Sequence, residues 1–226
     1  MSQKNSSKFD PDCRDCPRLA DFLDQVALKQ PDYHARPVAP FGDDNARLLI
    51  VGLAPGMHGA NATGRPFTGD HAGILLYKTL FEYGFSNQPE SVSRDDELQL
   101  FDCRITNAVK CLPPQNKPLL DEVKQCNHYL RAEIDGLPTP AVILALGKLA
   151  HDAVLRVLGM RLSAYPFGHA AMHSVAGELY LIDSYHCSRY NTQTRRLTPE
   201  MFGNVFRFVR QVLDGKDCRS GVPGSH

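Results

Sequence analysis

Four cysteines are spaced so that they could share one ligand. Cys13 and Cys16 form a CxxC turn ahead of Pro17, Cys111 opens a loop through Pro113 and Pro114, and Cys126 follows after fourteen intervening residues. Four thiolates can close a tetrahedral zinc site or hold a [4Fe–4S] cluster, and spacing alone leaves both open. The missing second CxxC leans toward the cluster. The chain has seven cysteines, an odd number, so a disulfide framework is not expected. Cys103 and Cys187 read as small buried side chains, and Cys218 falls in the C-terminal tail.

Two long loops carry the remaining chemistry. Residues 53–70 hold four glycines and two prolines between an apolar run and a helical pattern. Glycines let backbone N–H groups approach an anion or a carbonyl oxygen, although turns use the same residues. There is no Gly-Lys-Ser/Thr ending, so this is not a Walker loop. The second loop, residues 184–198, places His186 just after another apolar run and then turns basic. From Tyr185 to the end there are seven Arg or Lys against three acids. With Tyr190 and Asn191, such a loop suits phosphate and sugar contacts. Arg207 and Arg210 fit a solvated helix face.

These loops need a scaffold, and the pattern supplies one. Residues 47–53, 103–109, 141–146 and 178–183 are short aliphatic runs of the kind buried on both faces of a sheet. Between them lie helical patterns at residues 19–28, 71–83, 119–134, 148–158 and 199–213, the last capped by Thr198. In the second of these, Ile74, Leu75, Tyr77, Lys78 and Phe81 are expected to form the inward face. The expectation is an α/β fold, a three-layer α/β/α arrangement with a central four-stranded parallel sheet. Residues 1–215 form one domain in this reading, 86–97 a surface loop and 216–226 a frayed tail. Ligands of such sheets sit beyond the carboxyl ends of the strands, where both loops fall.

Composition limits the partners. The chain has 226 residues, 42% of them hydrophobic, with 25 basic and 25 acidic side chains. No global field advertises a polyanionic partner, so any nucleic-acid surface must be local. No apolar run is long enough for a membrane span and the first ten residues are polar, which points to a cytoplasmic protein.

The residues together carry a resemblance. Gly52-Leu53-Ala54-Pro55-Gly56 through Gly64-Arg65-Pro66-Phe67-Thr68-Gly69-Asp70, the strand end Ile105 to Cys111, and Tyr185-His186 with Asn191 and Arg196-Leu197-Thr198 resemble the family 5 (type b) uracil-DNA glycosylases. These are iron–sulfur members of their superfamily. Family 4 is similar but carries an acidic residue where Ala54 stands. This chain departs from the family at Cys187, where proline is usual, and at Ala62, where arginine is usual.

The resemblance implies a base-excision enzyme that flips uracil, and other deaminated bases such as hypoxanthine, out of DNA. It implies a [4Fe–4S] cluster on Cys13, Cys16, Cys111 and Cys126, and a monomer. Ala54, Gly56, Phe67 and Asn107 are expected around the base. Phe67 would stack on it, and the Asn107 amide would match the O4 and N3–H of uracil. His186 would stabilise the departing anion at O2. Ala54 cannot act as a base, so Asn61 and Asp70 are the residues expected to handle water, Asn61 by positioning it and Asp70 also as a helix cap. Arg65, Arg189, Asn191, Arg195 and Arg196 are expected at DNA. Other readings are a family 4-like uracil specialist and a non-catalytic iron–sulfur or zinc DNA-binding module. The latter has no need of a ring, an amide and a histidine at one sheet edge.

Overall fold

Each of the four aliphatic runs is a strand, and the four lie parallel. In the computed structural model, which describes residues 9–215, they are β2 (Leu48–Gly52), β3 (Cys103–Asn107), β4 (Ala141–Leu146) and β6 (Leu179–Ser184). The sheet has six strands rather than the four expected. A two-residue strand β1 (Phe41–Gly42) runs antiparallel to β3, and β5 (Met172–Ala176) antiparallel to β6, giving the order β1-β3-β2-β4-β6-β5. Both extra strands are edges. One is too short, and the other too exposed and polar, to show a buried-strand pattern.

Alternation along the strands separates two cores. Leu49, Val51, Ile143 and Ala145 face helices α1 (Pro17–Lys29), α4 (Leu120–Asp135) and α5 (Lys148–Val157). Leu48, Ile50, Val142 and Leu144 face α3 (His71–Glu82) and α7 (Pro199–Leu213). This is the three-layer arrangement expected, with helix bounds within about two residues of the sequence reading. Two short helices inside the functional loops, α2 (Ala60–Thr63) and α6 (Arg189–Gln193), carried no periodic signal. No helix among the described residues is long and apolar enough to cross a membrane.

Two packing expectations are corrected. In α3 the buried residues are Ala72, Gly73, Leu76, Tyr77, Thr79 and Leu80, whereas Ile74 is 67% exposed and Phe81 47%. The helix turns its small residues and Tyr77 inward because its first turn must sit against the backbone of Phe67. Arg210 is not a solvated charge. Its guanidinium lies 3.5 Å from the centre of the Phe85 ring and donates to the Tyr83 and Gly84 carbonyls. Arg207, bonded to Asn204, stays exposed as expected. The residue-216–226 tail, with Cys218, lies outside the described residues.

Spatially the parallel strands run β3-β2-β4-β6, so the chain leaves β2 on one side and β4 on the other. The crevice between those two strand ends is the switch point where such sheets bind ligands. Register brings Gly52 beside Asn107 and Leu146 beside Ser184, so all the parallel strands end together under the two loops.

Candidate active site

A cleft of about 550 Å³ opens at that switch point. Its wall includes Leu53, Ala54 and Gly56 after β2, Asn107 at the end of β3, Gly147 to Leu149 after β4, and Tyr185 and His186 after β6. Phe67, Asp70, Asn191 and Arg196 complete the set drawn from the sequence.

The first loop is built to hold Phe67 against the sheet. Phe67 has φ +54, a left-handed conformation that costs a non-glycine residue roughly 1–3 kcal/mol and needs support. Tyr77 supplies it by donating from its hydroxyl to the Pro66 carbonyl at 2.7 Å. The ring then lies directly over Gly52. A β-carbon at Gly52 would stand 2.4 Å from Asn107 Oδ1 and 2.8 Å from Phe67 Cζ, so only glycine lets the amide and the ring share this corner. Across the gap, the His186 ring centre is 6.0 Å from that of Phe67.

Burial perturbs two titratable groups of the cleft, His186 and Asp70. Burial pushes His186 below the ordinary histidine range, which favours the neutral ring. Asp70 is raised, because burial outweighs the N–H groups of Gly73 and Ala72 that favour its charge. Asp70 Oδ1 accepts from Gly73 N at 2.9 Å, the cap expected. Its Oδ2 presses on the first loop, where a β-carbon at Gly59 would come within 2.7 Å of it.

Asn61 and Arg65 depart from expectation. Asn61 is fully buried, does not line the cleft, and its amide reaches only the Met57 carbonyl at 3.5 Å. The helix α2 turns it inward, which leaves Asp70 as the acidic or amide side chain of this loop that lines the cleft. The side chain of Arg65 is only 7% exposed. Its guanidinium binds Asp96 at 2.5 Å, Ser91 at 3.1 Å and the Arg94 carbonyl, and lies over the Phe41 ring. It pins the 86–97 loop with three of its five N–H donors, and its burial turns it away from the surface where a DNA contact was expected.

In the second loop Asn191 bonds its amide nitrogen to the His186 carbonyl at 2.8 Å, bracing the histidine from α6. Arg196 is exposed and rests 4.8 Å from the Tyr185 ring centre; Arg189 and Arg195 are also exposed. Tyr190, 70% exposed, projects from the start of the same short helix. Gly147, Lys148, Phe167 and Asn116 also line the cleft and escaped the sequence reading. The first two follow a strand end and could have been flagged by the same rule. The other two stand in irregular segments without a signal.

On the face of the sheet covered by α1, α4 and α5, Cys13, Cys16, Cys111 and Cys126 line one small cavity with Leu19, Val109 and Tyr129. The Lys110 N–H donates to Cys126 Sγ at 3.4 Å. Burial, with repulsion between neighbouring sulfurs, pushes the Cys16 thiol up to about 11 and Cys111 to about 12. Cys103 and Cys187 are fully buried, as expected.

Residues 39–210 match the family model of the uracil DNA glycosylase superfamily. A type-5 uracil-DNA glycosylase of Thermus thermophilus is 49% identical over 205 residues, covering 88% of this chain and 93% of the relative. A type-5 enzyme of Pyrobaculum aerophilum is 45% identical, covering 86% of each. The type-4 enzyme of that organism is 38% identical over 81% of this chain and 85% of its own length.

Proposed function

Because the chain belongs to the uracil-DNA glycosylase superfamily and, within it, to the type-5 enzymes, we propose that it removes uracil from DNA by hydrolysing the N-glycosidic bond in this cleft. The observation that carries the reading is the convergence of Phe67, Asn107 and His186 on one sheet edge, with Asp70 beside them.

An extruded base stacks on Phe67 while Asn107 donates to O4 and accepts from N3–H, a pattern cytosine reverses. Neutral His186 donates a hydrogen bond to O2, where charge gathers as the bond to C1′ breaks and its electron pair leaves with the base. That contact strengthens toward the transition state, which is what lowers the barrier. Water then adds to C1′ and gives its proton to Asp70. A carboxyl raised toward neutrality by burial is a better base than an exposed one, provided it is still ionised. Arg189, Arg195 and Arg196 hold backbone phosphates, and exposed Tyr190 fills the gap left in the duplex.

The wide cleft, to which Ala54 adds only a methyl group, supports a range that includes hypoxanthine. Duplexes bearing one uracil, one hypoxanthine or a thymine mismatch, cleaved with alkali at the resulting abasic site, test this. Uracil and hypoxanthine strands should be cut, and an uncut uracil strand refutes the reading.

The four cysteines that line one cavity, without the second CxxC of a usual zinc knuckle, support an iron–sulfur cluster held by Cys13, Cys16, Cys111 and Cys126. Bound there, the cluster would tie the N-terminal segment to α4 and the loop after β3. About four irons per chain are expected by that stoichiometry, with Cys103→Ala retaining them and Cys111→Ala losing them. Stoichiometric zinc without iron refutes the assignment.

A further inference from the structure

Three residues before His186, Asp183 is wholly buried in β6 with a second histidine bonded to it. Asp183 Oδ1 is 2.7 Å from His151 Nδ1, and Oδ2 accepts from the Gly168 N–H at 3.3 Å. The other ring nitrogen of His151, Nε2, is 2.9 Å from the Tyr165 carbonyl oxygen. A carbonyl only accepts, so Nε2 carries a proton. The Nδ1 position faces a carboxylate, so a second proton lies between the partners.

This pair joins three parts of the cleft support. His151 is on α5, Asp183 is the penultimate residue of β6, and Tyr165 and Gly168 bracket Phe167, whose ring meets His151 at 5.6 Å and lines the cleft. From the same segment His169 stacks on Tyr185 at 5.0 Å and accepts from the Tyr185 N–H. We infer that His151 is a buried imidazolium whose pairing with Asp183 positions the Tyr185-His186 turn and the Phe167 wall for excision. His151 and Asp183 are positioning residues, and the inference rests on the role given above to His186.

The charges facing His151 favour this state. Asp183 faces it from β6 and Asp152 from its own helix, the latter already bonded to Lys148. From β5, His173 comes within 5.7 Å of its ring, with Nε2 3.6 Å from Asp183 Oδ2 and without a hydrogen-bond partner among the described residues. Burial opposes the charge on His151, but the Asp183 bond and charge outweigh it and the net direction is upward. A raised value means that the pair is complete below the ordinary histidine pKa of about 6.5 and is lost as pH rises through the folded-state value.

Long-range proton–nitrogen NMR of the 15N-labelled holoprotein reads the ring directly and needs no variant. Both His151 nitrogens should be protonated at pH 7; a bare Nδ1, or zinc bound by His151, His173 and Asp183, overturns the inference. In single-turnover uracil excision, His151→Ala should lose about tenfold to a hundredfold, the scale of a misplacement near 1 Å, with abasic-duplex affinity retained. Asp183→Asn can donate from its amide to a neutral His151 and accept from Gly168, so it should be faster than Asp183→Ala and lack the alkaline fall of the wild type. Identical pH–rate profiles for wild type, Asp183→Asn and Asp183→Ala also overturn it. The ring state is independent of the glycosylase reading, so loss of one does not masquerade as loss of the other.

Discussion

Adding one methyl group at Gly52 should slow the enzyme about a hundredfold while sparing its fold. The new β-carbon would stand 2.4 Å from Asn107 Oδ1 and 2.8 Å from Phe67 Cζ, where ordinary contact begins at 3.4 Å. The amide must therefore retreat by about 1 Å and the ring by roughly half as much, both away from their places against the base. A displacement of 1 Å costs about a hundredfold in rate, or close to 2.7 kcal/mol of transition-state stabilisation. The fold should survive, because overpacking of this kind costs about 1–3 kcal/mol and both displaced side chains border the open cleft. Gly52→Ala should thus melt cooperatively, somewhat below the wild type, and lose about two orders of magnitude in single-turnover excision from a duplex with one uracil. In Gly52→Ala/Asn107→Ala the amide is gone, so the double variant should be much less impaired than the sum of the single losses. A folded Gly52→Ala protein with wild-type kinetics would refute the assignment of Asn107 and Phe67 to the base pocket.

Three further outcomes follow from the site. His186→Ala should slow excision by roughly two to three orders of magnitude, the cost of one transition-state donor, with abasic-duplex binding intact; since burial lowers its pKa, the wild-type rate should hold as pH falls through the ordinary histidine range near 6.5. Asp70→Asn keeps an oxygen for the Gly73 N–H and should fold normally, yet lose about 10²–10⁴ in rate along with an acid limb that lies above the usual carboxylate range, whereas Asn61→Ala should affect stability more than rate; an Asp70→Asn protein with an unchanged pH–rate profile would return Asp70 to a purely capping role. Arg196→Ala should weaken DNA binding and reduce the salt slope by about one, while Arg65→Ala should lower the melting temperature and leave that slope alone; equal salt slopes in the two would contradict the burial of Arg65.

What the chain alone determined is what local chemistry can encode. Strands buried on both faces must be continuous aliphatic runs, so β2, β3, β4 and β6 stood out, and helices announced themselves by period and by caps such as Thr198 and Asp70. His186 was legible because it follows such a run, where ligands collect, whereas Phe67 and Asn107 were marked by the family resemblance of their segments. Tertiary packing decided the rest. Arg65 reads as a DNA contact in isolation, but Asp96, thirty-one residues away, claims its charge once the 86–97 loop folds over it. Asn61 reads in isolation as the residue that positions water and Asp70 as a cap, yet helix α2 turns Asn61 inward and Asp70 lines the cleft. Ile74 and Phe81 look like core on a helical wheel, yet the side of α3 that meets the sheet is chosen by the approach of Gly73 to Phe67, a contact between residues whose spacing carries no periodic mark. The His151–Asp183 pair had no sequence signal either: its partners are thirty-two residues apart, and only closure of the sheet brings a histidine on a helix against a carboxylate in a strand.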